Sequence, residues 1–393
     1  MPPPSLSTSE EHGILDFRTN DYLSLSQSTE LRRLFLDRVQ TAPALFGSGS
    51  SRLAVNPKEL AELEHRLARF FNAPDALVVG SGHDANVAFF RHVPAVGDIM
   101  IHDEHVHASI WDGMRSSRGV RLVSFSHNDL VDFRRKLVSV VQGDSTVAAG
   151  TTSVFLAVES IYSMDGSIAP LKHMVDFLDE KLPKGNGHLV VDEAHATGVY
   201  GPQGRGIVAM YGLEHRCLAR LHTFGKAVTS TGAVLLVSPV LREYLATHAR
   251  VLIFTTAPNH TAIISVDCAS DILESSTGTH LASHLLDLCT HLMQLLVIKL
   301  ANIPSHILTL PAHFHLPVST DVDELPGTTL PTPIIPLLTP FAEELSAFLE
   351  TDKTRVRVCL NANKTRKDVA RLVDAIIDWA TVVVEKKVVG TKL

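Results

Sequence analysis

Apolar residues in this chain fall into two rhythms. From about residue 56, short and nearly continuous apolar runs alternate with helix-length segments. The runs lie at 76–79, 99–101, 120–123, 154–158, 188–191, 220–224 and 233–237. A strand with one wet face alternates apolar and polar residues. A strand apolar on both sides needs cover on both faces, as in a parallel sheet between helices. The pattern therefore predicts an α/β fold, with a mostly parallel seven-stranded sheet in a large domain over 46–258. Residues 1–45 read as an arm with one helix around 30–39, and 59–71 carry apolar residues at helical spacing. Beyond 258 the rhythm changes. Residues 262–302 read as one long helix, and the proline- and threonine-rich stretch 308–340 as mixed strands and loops. A strand at 356–360 and a closing amphipathic helix at 367–384 complete a smaller α+β domain over 259–393. There is no internal repeat.

Composition narrows the function classes. Apolar residues make up 45% of the 393, enough for a sizeable core, and the formal charge is −7. A nucleic-acid partner is not expected, because such binders carry a basic face. No membrane partner is expected either, since no apolar run reads as a membrane span, and the amino end lacks signal-peptide features. Cys217, Cys268, Cys289 and Cys359 are far apart and form no CxxC, which fits a reducing compartment.

The candidate chemistry gathers where apolar runs end. Lys226 lies in Thr223-Phe224-Gly225-Lys226, just past one run, and Asp192 ends another, with His195 three residues on. A lysine amine can hold an aldehyde cofactor, a buried aspartate can pair with a protonated pyridine, and a histidine can reach the ring oxygen. Together they point to pyridoxal 5′-phosphate. Gly80-Ser81-Gly82-His83-Asp84 follows a strand and opens a helix, a place where backbone N–H groups collect an anion or where the helix is simply capped. His102, His105 and His107 have a superficial look of a metal cluster, but in an extended chain His102 faces away from the other two, so no metal is expected. Glu159 and Ser163 leave another run towards the turn Asp165-Gly166. Arg52, in a Gly/Ser-rich loop, offers charge to a site or sits in a flexible loop. Arg355 and Arg357 share one face of a strand, where an arginine could hold a carboxylate through two bonds.

These motifs add up to a resemblance that covers nearly the whole chain. Asn20-Asp21-Tyr22-Leu23, Phe125-Ser126-His127-Asn128-Asp129, Ser163-Met164-Asp165-Gly166, Asp192-Glu193-Ala194-His195-Ala196-Thr197-Gly198 and Thr223-Phe224-Gly225-Lys226 resemble those of the α-oxoamine synthases. These are pyridoxal-phosphate enzymes of fold type I in the class-II aminotransferase superfamily. The resemblance implies that Lys226 carries the cofactor and moves the Cα proton, Asp192 pairs with the pyridinium, His195 bonds the ring oxygen and His107 stacks on the ring. It implies phosphate contacts from Gly82, His83, Asp84 and Thr223, and from Thr255 and Thr256 across a homodimer interface. Glu159 and Ser163 would face the cofactor, Asn20 would lie near the substrate, and Arg357, or Arg355 in its place, would bind the amino-acid carboxylate. Three departures stand out. Ser24 replaces a usual glycine, 53–60 is one residue short and lacks a usual histidine, and Lys364 stands where histidine is common.

The activity implied is decarboxylating condensation of an amino acid with an acyl-CoA. Thr231-Gly232-Ala233-Val234-Leu235 is most like the branch that joins L-alanine to pimeloyl-CoA in biotin synthesis. Another acyl chain, an aminotransferase and a catalytically silent subunit are the rival readings. Thr391-Lys392-Leu393 resembles a peroxisomal import signal, so the expected location is cytoplasmic or peroxisomal.

Overall fold

The computed structural model describes residues 15–318, 329–349 and 356–390. Arg355 and the Thr391-Lys392-Leu393 end lie outside the described residues.

The seven apolar runs form one sheet. Its strands are β1 (Asp75–Val79), β2 (Ile99–Asp103), β3 (Arg121–Phe125), β4 (Val154–Glu159), β5 (Gly187–Asp192), β6 (Cys217–Thr223) and β7 (Ala233–Val237). Their spatial order is β1-β7-β6-β5-β4-β2-β3. β7 runs antiparallel to both its neighbours and every other pairing is parallel. Period-two alternation splits the side chains between two cores. Ala76, Val78, Leu189 and Val191 face one, while Leu77, Val79 and Val190 face the other. Helices cover both faces, as the two-sided apolar strands require.

The register decides what the sheet presents at its carboxyl edge. Glu159 on β4 lies directly beside Asp192 on β5. Thr223 at the end of β6 pairs with Ala233, which pairs in turn with Val79 at the end of β1. The Gly80–Gly82 turn, the two carboxylates and the Lys226 loop therefore emerge along one edge, where parallel sheets bind ligands.

The Gly/Ser-rich loop is anchored, not free. Arg52 is buried, and its guanidinium donates to Glu64 at 2.9 and 3.1 Å and to the Val78 carbonyl at 2.9 Å. Glu64 also accepts from the Val78 N–H and from Arg242 at 2.6 Å. Arg52 thus pins the loop to α2 (Lys58–Phe70) and β1, away from a ligand.

The stretch expected as one long helix is two, His260–Glu274 and Ser276–Leu300. Ser275 adopts an extended conformation (φ −87°, ψ 171°), and its side chain accepts from the Thr277 N–H, so it caps the second helix. The apolar periodicity continues across the break, which is why periodicity alone misses it. Contrary to expectation, the second helix is long and apolar enough by length and composition to cross a membrane. One side of it, including Leu285, Leu292 and Leu296, is buried in the main core, and it packs against the helix Arg366–Gly390.

The C-terminal part adds a two-stranded antiparallel sheet, β8 (Ile334–Leu337) with β9 (Val356–Cys359). The arm is threaded onto its end. The Cys359 N–H donates to the Phe17 carbonyl at 2.7 Å and the Ala362 N–H to the Tyr22 carbonyl at 2.8 Å. Asn20 and Tyr22 are thereby held beside Arg357. Ser24 sits in the left-handed region (φ 54°, ψ 30°), the conformation that explains a usual glycine there. Its hydroxyl accepts from the Asn363 N–H at 3.0 Å, a contact glycine could not make.

Candidate active site

The floor of the site is a hydrogen-bonded chain that starts at Asp192. This carboxylate is buried at the end of β5. One oxygen accepts from the Ala194 N–H at 2.9 Å and the other from the Asn86 amide at 2.8 Å. The same amide nitrogen donates to Ser109 Oγ at 2.9 Å, and Ser109 Oγ meets His107 Nδ1 at 2.7 Å. Each donor then has one acceptor. Nδ1 also accepts from the Ser109 N–H at 3.2 Å, so the single proton of a neutral His107 sits on Nε2. Burial and the nearby Lys226 charge lower the His107 pKa, which keeps it neutral. Sequence reading missed Asn86 and Ser109. Asn86 lies one helical turn inside α3 (Gly82–His92), and Ser109 lies in the first turn of α4 (Ala108–Ser116), which His107 caps. A polar residue on the inward face of each helix was the only available signal.

The second wall is built from the arm. His195 Nδ1 lies 2.6 Å from the Tyr22 hydroxyl, which lies 3.4 Å from Asn20 Oδ1. Burial, with the Lys226 and Arg357 charges, holds the His195 pKa well below the usual imidazole range. Burial holds the Tyr22 phenol well above its own, so both groups are neutral. Arg357 donates to the Ser163 carbonyl at 2.6 Å and to Asn20 Oδ1 at 3.2 Å.

Lys226 lies in the loop after β6. Desolvation lowers its pKa and Arg357 adds to the effect, while Asp192 and Glu159 oppose it. Those four groups therefore share one electrostatic neighbourhood. The loop is strained at Thr229, a β-branched residue at φ 50° whose N–H donates to the Lys226 carbonyl at 2.9 Å. Glu159 is 2% exposed and its Oε1 has no hydrogen-bond partner among the described residues. Burial first, and the neighbouring Asp192 second, push its pKa well above the carboxylate range. Its Oε1 is a buried polar atom left over by the fold, a feature that a native structure reserves for a specific role.

At the start of α3, a Cβ on Gly82 would sit 3.4 Å from Thr223 Oγ1, so the glycine keeps the helix start open towards that hydroxyl. Asp84 turns back on Ser81 instead. Its N–H donates to Ser81 Oγ at 3.0 Å and its carboxylate accepts from that hydroxyl at 2.8 Å, a reciprocal cap. The His83 side chain is exposed and bonds Asp112 at 3.2 Å, which leaves only its backbone for the site. Thr255 and Thr256 are exposed on the surface past the helix Arg250–Ile253.

The three histidines of the suspected metal run separate. His102 is buried against Trp111, His105 stacks on His127 at 4.2 Å, and His107 enters the site. His105, His127 and Asp165 do come within ligating distance of one another, but both His127 ring nitrogens already face carboxylates of the chain.

Comparison with known proteins gives the family and the fold. The family model for aminotransferases of class I and II matches residues 12–376. The chain is 39% identical to an 8-amino-7-oxononanoate synthase of Emericella nidulans, over 93% of this chain and 89% of that one. It is 33% identical to the aminoacyl transferase sphA of Aspergillus fumigatus, over 98% of this chain and 85% of that one. Among solved structures, serine palmitoyltransferase from S. paucimobilis has a TM-score of 0.75 at 21% identity, covering 93% of this chain and 87% of that one. The 8-amino-7-oxononanoate synthase of Francisella tularensis has a TM-score of 0.69 at 24% identity, covering 94% and 98%.

Proposed function

We propose, for a chain that belongs to the class I and II aminotransferase family and within it to the α-oxoamine synthases, that it condenses L-alanine with pimeloyl-CoA. The enzyme is a pyridoxal-phosphate-dependent acyltransferase. In the proposed reaction the thioester C–S bond breaks, a C–C bond forms at the amino-acid Cα, and carbon dioxide and CoA leave. The product is the α-amino ketone 8-amino-7-oxononanoate, which would serve biotin synthesis. The observation that carries the reading is the joint placement of Lys226 and the buried Asp192 and Glu159 at one sheet edge, within the electrostatic reach of Arg357 on β9.

The residues present fit the cofactor. The Gly82 and His83 N–H groups at the start of α3, with the Thr223 hydroxyl, suit a phosphate. Asp192, fixed by Asn86 and Ala194, suits a protonated pyridine nitrogen. Glu159 Oε1 has no other use. When bound, pyridoxal phosphate supplies an electron sink for charge that develops at the Cα.

The protein's own part is positioning and proton transfer. Lys226 Nζ takes the Cα proton, and its lowered pKa raises the fraction able to do so near neutrality. In this reading the Tyr22 hydroxyl, 2.6 Å from His195 Nδ1 and 3.4 Å from Asn20 Oδ1, gives its proton to the nearer atom, so that His195 would keep its own proton on Nε2 and would donate it to the ring oxygen. Arg357, steadied by the Ser163 carbonyl and Asn20, holds the amino-acid carboxylate. The His107 ring would cover one face of the cofactor.

The active form in this reading is a homodimer. Phe46 (80% exposed), Leu53, Val55 and Phe254 (72%) are large apolar side chains left in water near Thr255 and Thr256. Their segments are joined, since the Ala257 N–H donates to the Ser50 carbonyl and the Thr261 N–H to the Leu45 carbonyl. A second copy covering this patch would carry Thr255 and Thr256 to its neighbour's phosphate.

A second reading, a different acyl chain, is favoured by the sphA relative and by the departures at 53–60 and Lys364. Thiol release from a panel of acyl-CoAs with L-alanine, glycine and L-serine separates the two. The expected result is release that requires L-alanine and is fastest with pimeloyl-CoA. Release only with long-chain acyl-CoA supports the second reading, and keto-acid turnover without thiol release overturns both. Lys226→Ala should lose all turnover and the bound cofactor's visible absorbance.

A further inference from the structure

His127, in the Phe125–Asp129 motif after β3, has no part in the chemistry above, yet the structure ties it to the substrate site. Its Nδ1 lies 2.9 Å from Asp103 Oδ1, at the buried end of β2. Its Nε2 lies 3.0 Å from Asp165 Oδ2 and 2.8 Å from Ser167 Oγ. Ionised carboxylates only accept, and Ser167 Oγ spends its own proton on Asp165 Oδ1 at 2.8 Å. Both ring nitrogens must therefore donate, and only an imidazolium has two N–H groups. The other groups facing the ring are His105, stacked at 4.2 Å, Tyr162, edge-on at 4.5 Å, and the Asn128 amide nitrogen, 3.4 Å from Nε2 and turned to Ser167 Oγ at 2.9 Å. Glu104 accepts from the His127 backbone N–H at 2.9 Å, and His313 faces Asp165 and His127 from the 312–315 turn.

What the ring grips is the 163–167 turn. Asp165 is held by His127, and the Asn128 amide reaches Ser167 Oγ at 2.9 Å. Asn128 is at φ 52°, the left-handed conformation that brings it there. Two residues before Asp165, the Ser163 carbonyl takes the 2.6 Å bond from Arg357. On its far side the turn packs so closely on β8 that a Cβ on Gly166, at φ 68°, would overlap the Ile334 carbonyl oxygen. A single ring thus links the end of β2 to the turn that aims the proposed carboxylate-binding arginine.

We propose that protonated His127 is a positioning residue for amino-acid binding, clamping the Ser163–Asp165 turn so that Arg357 is preset for the substrate carboxylate. Loss of the proton removes one of its two donors and frees one aspartate. The two carboxylates raise the His127 pKa to about 9, against a burial effect that lowers it, so the clamp is closed at neutral pH. Asp165 is correspondingly held down at about 2.

This inference rests on the assignment of Arg357 to the substrate carboxylate, and its test keeps the two apart. The holoenzyme is titrated with L-alanine from pH 7 to pH 10, following the change in cofactor absorbance, for the parent, His127→Asn, Asp165→Asn and Arg357→Lys. Affinity ratios of parent to variant are taken at each pH, so that the substrate amine's own ionisation cancels. For His127→Asn the expected ratio is about tenfold at pH 7, the scale of one charge-assisted hydrogen bond, falling towards one above pH 9 to 10. The KM for acyl-CoA should stay at the parent value. For Asp165→Asn the ratio should already fall at lower pH, because one of the two carboxylates that hold the proton is gone. A His127→Asn ratio of one throughout, or one that is raised but flat with pH, overturns the clamp while Arg357 keeps its role. Unchanged affinity in Arg357→Lys overturns the carboxylate assignment itself, and the clamp with it.

Discussion

At the residue scale, the informative side chains are those whose hydrogen-bonding capacity is fully used or left over. Both donors of Asn86 are used. Its amide nitrogen splits them between Asp192 and Ser109, so it orients the carboxylate proposed to pair with the pyridine and, through Ser109, the His107 ring. Asn86→Ala should lower kcat about ten- to a hundredfold, the worth of one hydrogen bond to a charged group, with a smaller effect on the KM for acyl-CoA. Steady-state thiol release reads both, and an unchanged kcat would remove Asn86 from the machinery. Tyr22→Phe keeps the buried ring but removes the hydroxyl that faces His195 Nδ1 at 2.6 Å, in the proposed reading its donor. The histidine proton is then no longer confined to Nε2, and the bound cofactor's absorbance maximum should shift with little loss of thermal stability. A spectrum and a melting curve of the same sample test this.

At the element scale, charged groups pin loops to the sheet. Glu64 on α2 is 1% exposed and serves Arg52, Arg242 and the Val78 N–H together. Glu64→Gln leaves two guanidinium groups facing a neutral amide in a dry place, at a cost of about 3 kcal/mol. The denaturation midpoint should fall, with the slope of the transition unchanged. The His127 link between β2 and the 163–167 turn carries a pH signature of its own. A histidine with a raised folded pKa contributes stability that is full below its unfolded pKa of about 6.5 and is lost as pH rises through its folded value. That value is about 9 here, so the window runs from about 6.5 to 9. His127→Asn should flatten the parent's decline in melting temperature across this window. The helix break at Ser275 also belongs to this scale. One capping side chain ends a run whose apolar periodicity continues on both sides.

At the scale of the whole molecule, the arm, the sheet and the C-terminal part share one continuous core. On one face of the sheet, buried residues from Phe17 to Val383 belong to a single cluster, while the other face has a core of its own. The arm reaches the site by pairing with the end of β9, so truncation before residue 25 should remove Tyr22 and Asn20 and abolish turnover along with some stability. The proposed dimer patch gives a separate expectation. Phe46→Glu with Phe254→Glu should convert a dimer to a monomer by light scattering and weaken cofactor retention, since Thr255 and Thr256 would no longer reach a neighbour. A monomeric, fully active parent would contradict this assembly.

The apolar runs at 76–237 are short and β-rich, and all but the half-exposed edge strand β3 are largely buried on both sides, so the sequence by itself determined the strands and their mostly parallel, helix-covered setting. It also singled out candidates whose residue type is unusual for where they stand in the chain, namely Lys226, Asp192, His195 and one of Arg355 and Arg357. Local signals carry that much because strand burial and catalytic residue type are properties of neighbours in sequence. What only the tertiary structure decided depends on register and on contacts across long separations. The pairing of Glu159 with Asp192 follows from the β4–β5 register. Asn86 meets Asp192 from 106 residues away, and Arg357 meets the Ser163 carbonyl from 194 away. Arg52 looked equally suited to a ligand or to solvent, and its place was decided by a buried carboxylate twelve residues on. A hydrogen-bond partner is chosen by distance and direction in the folded chain, and a linear pattern of residue types records neither.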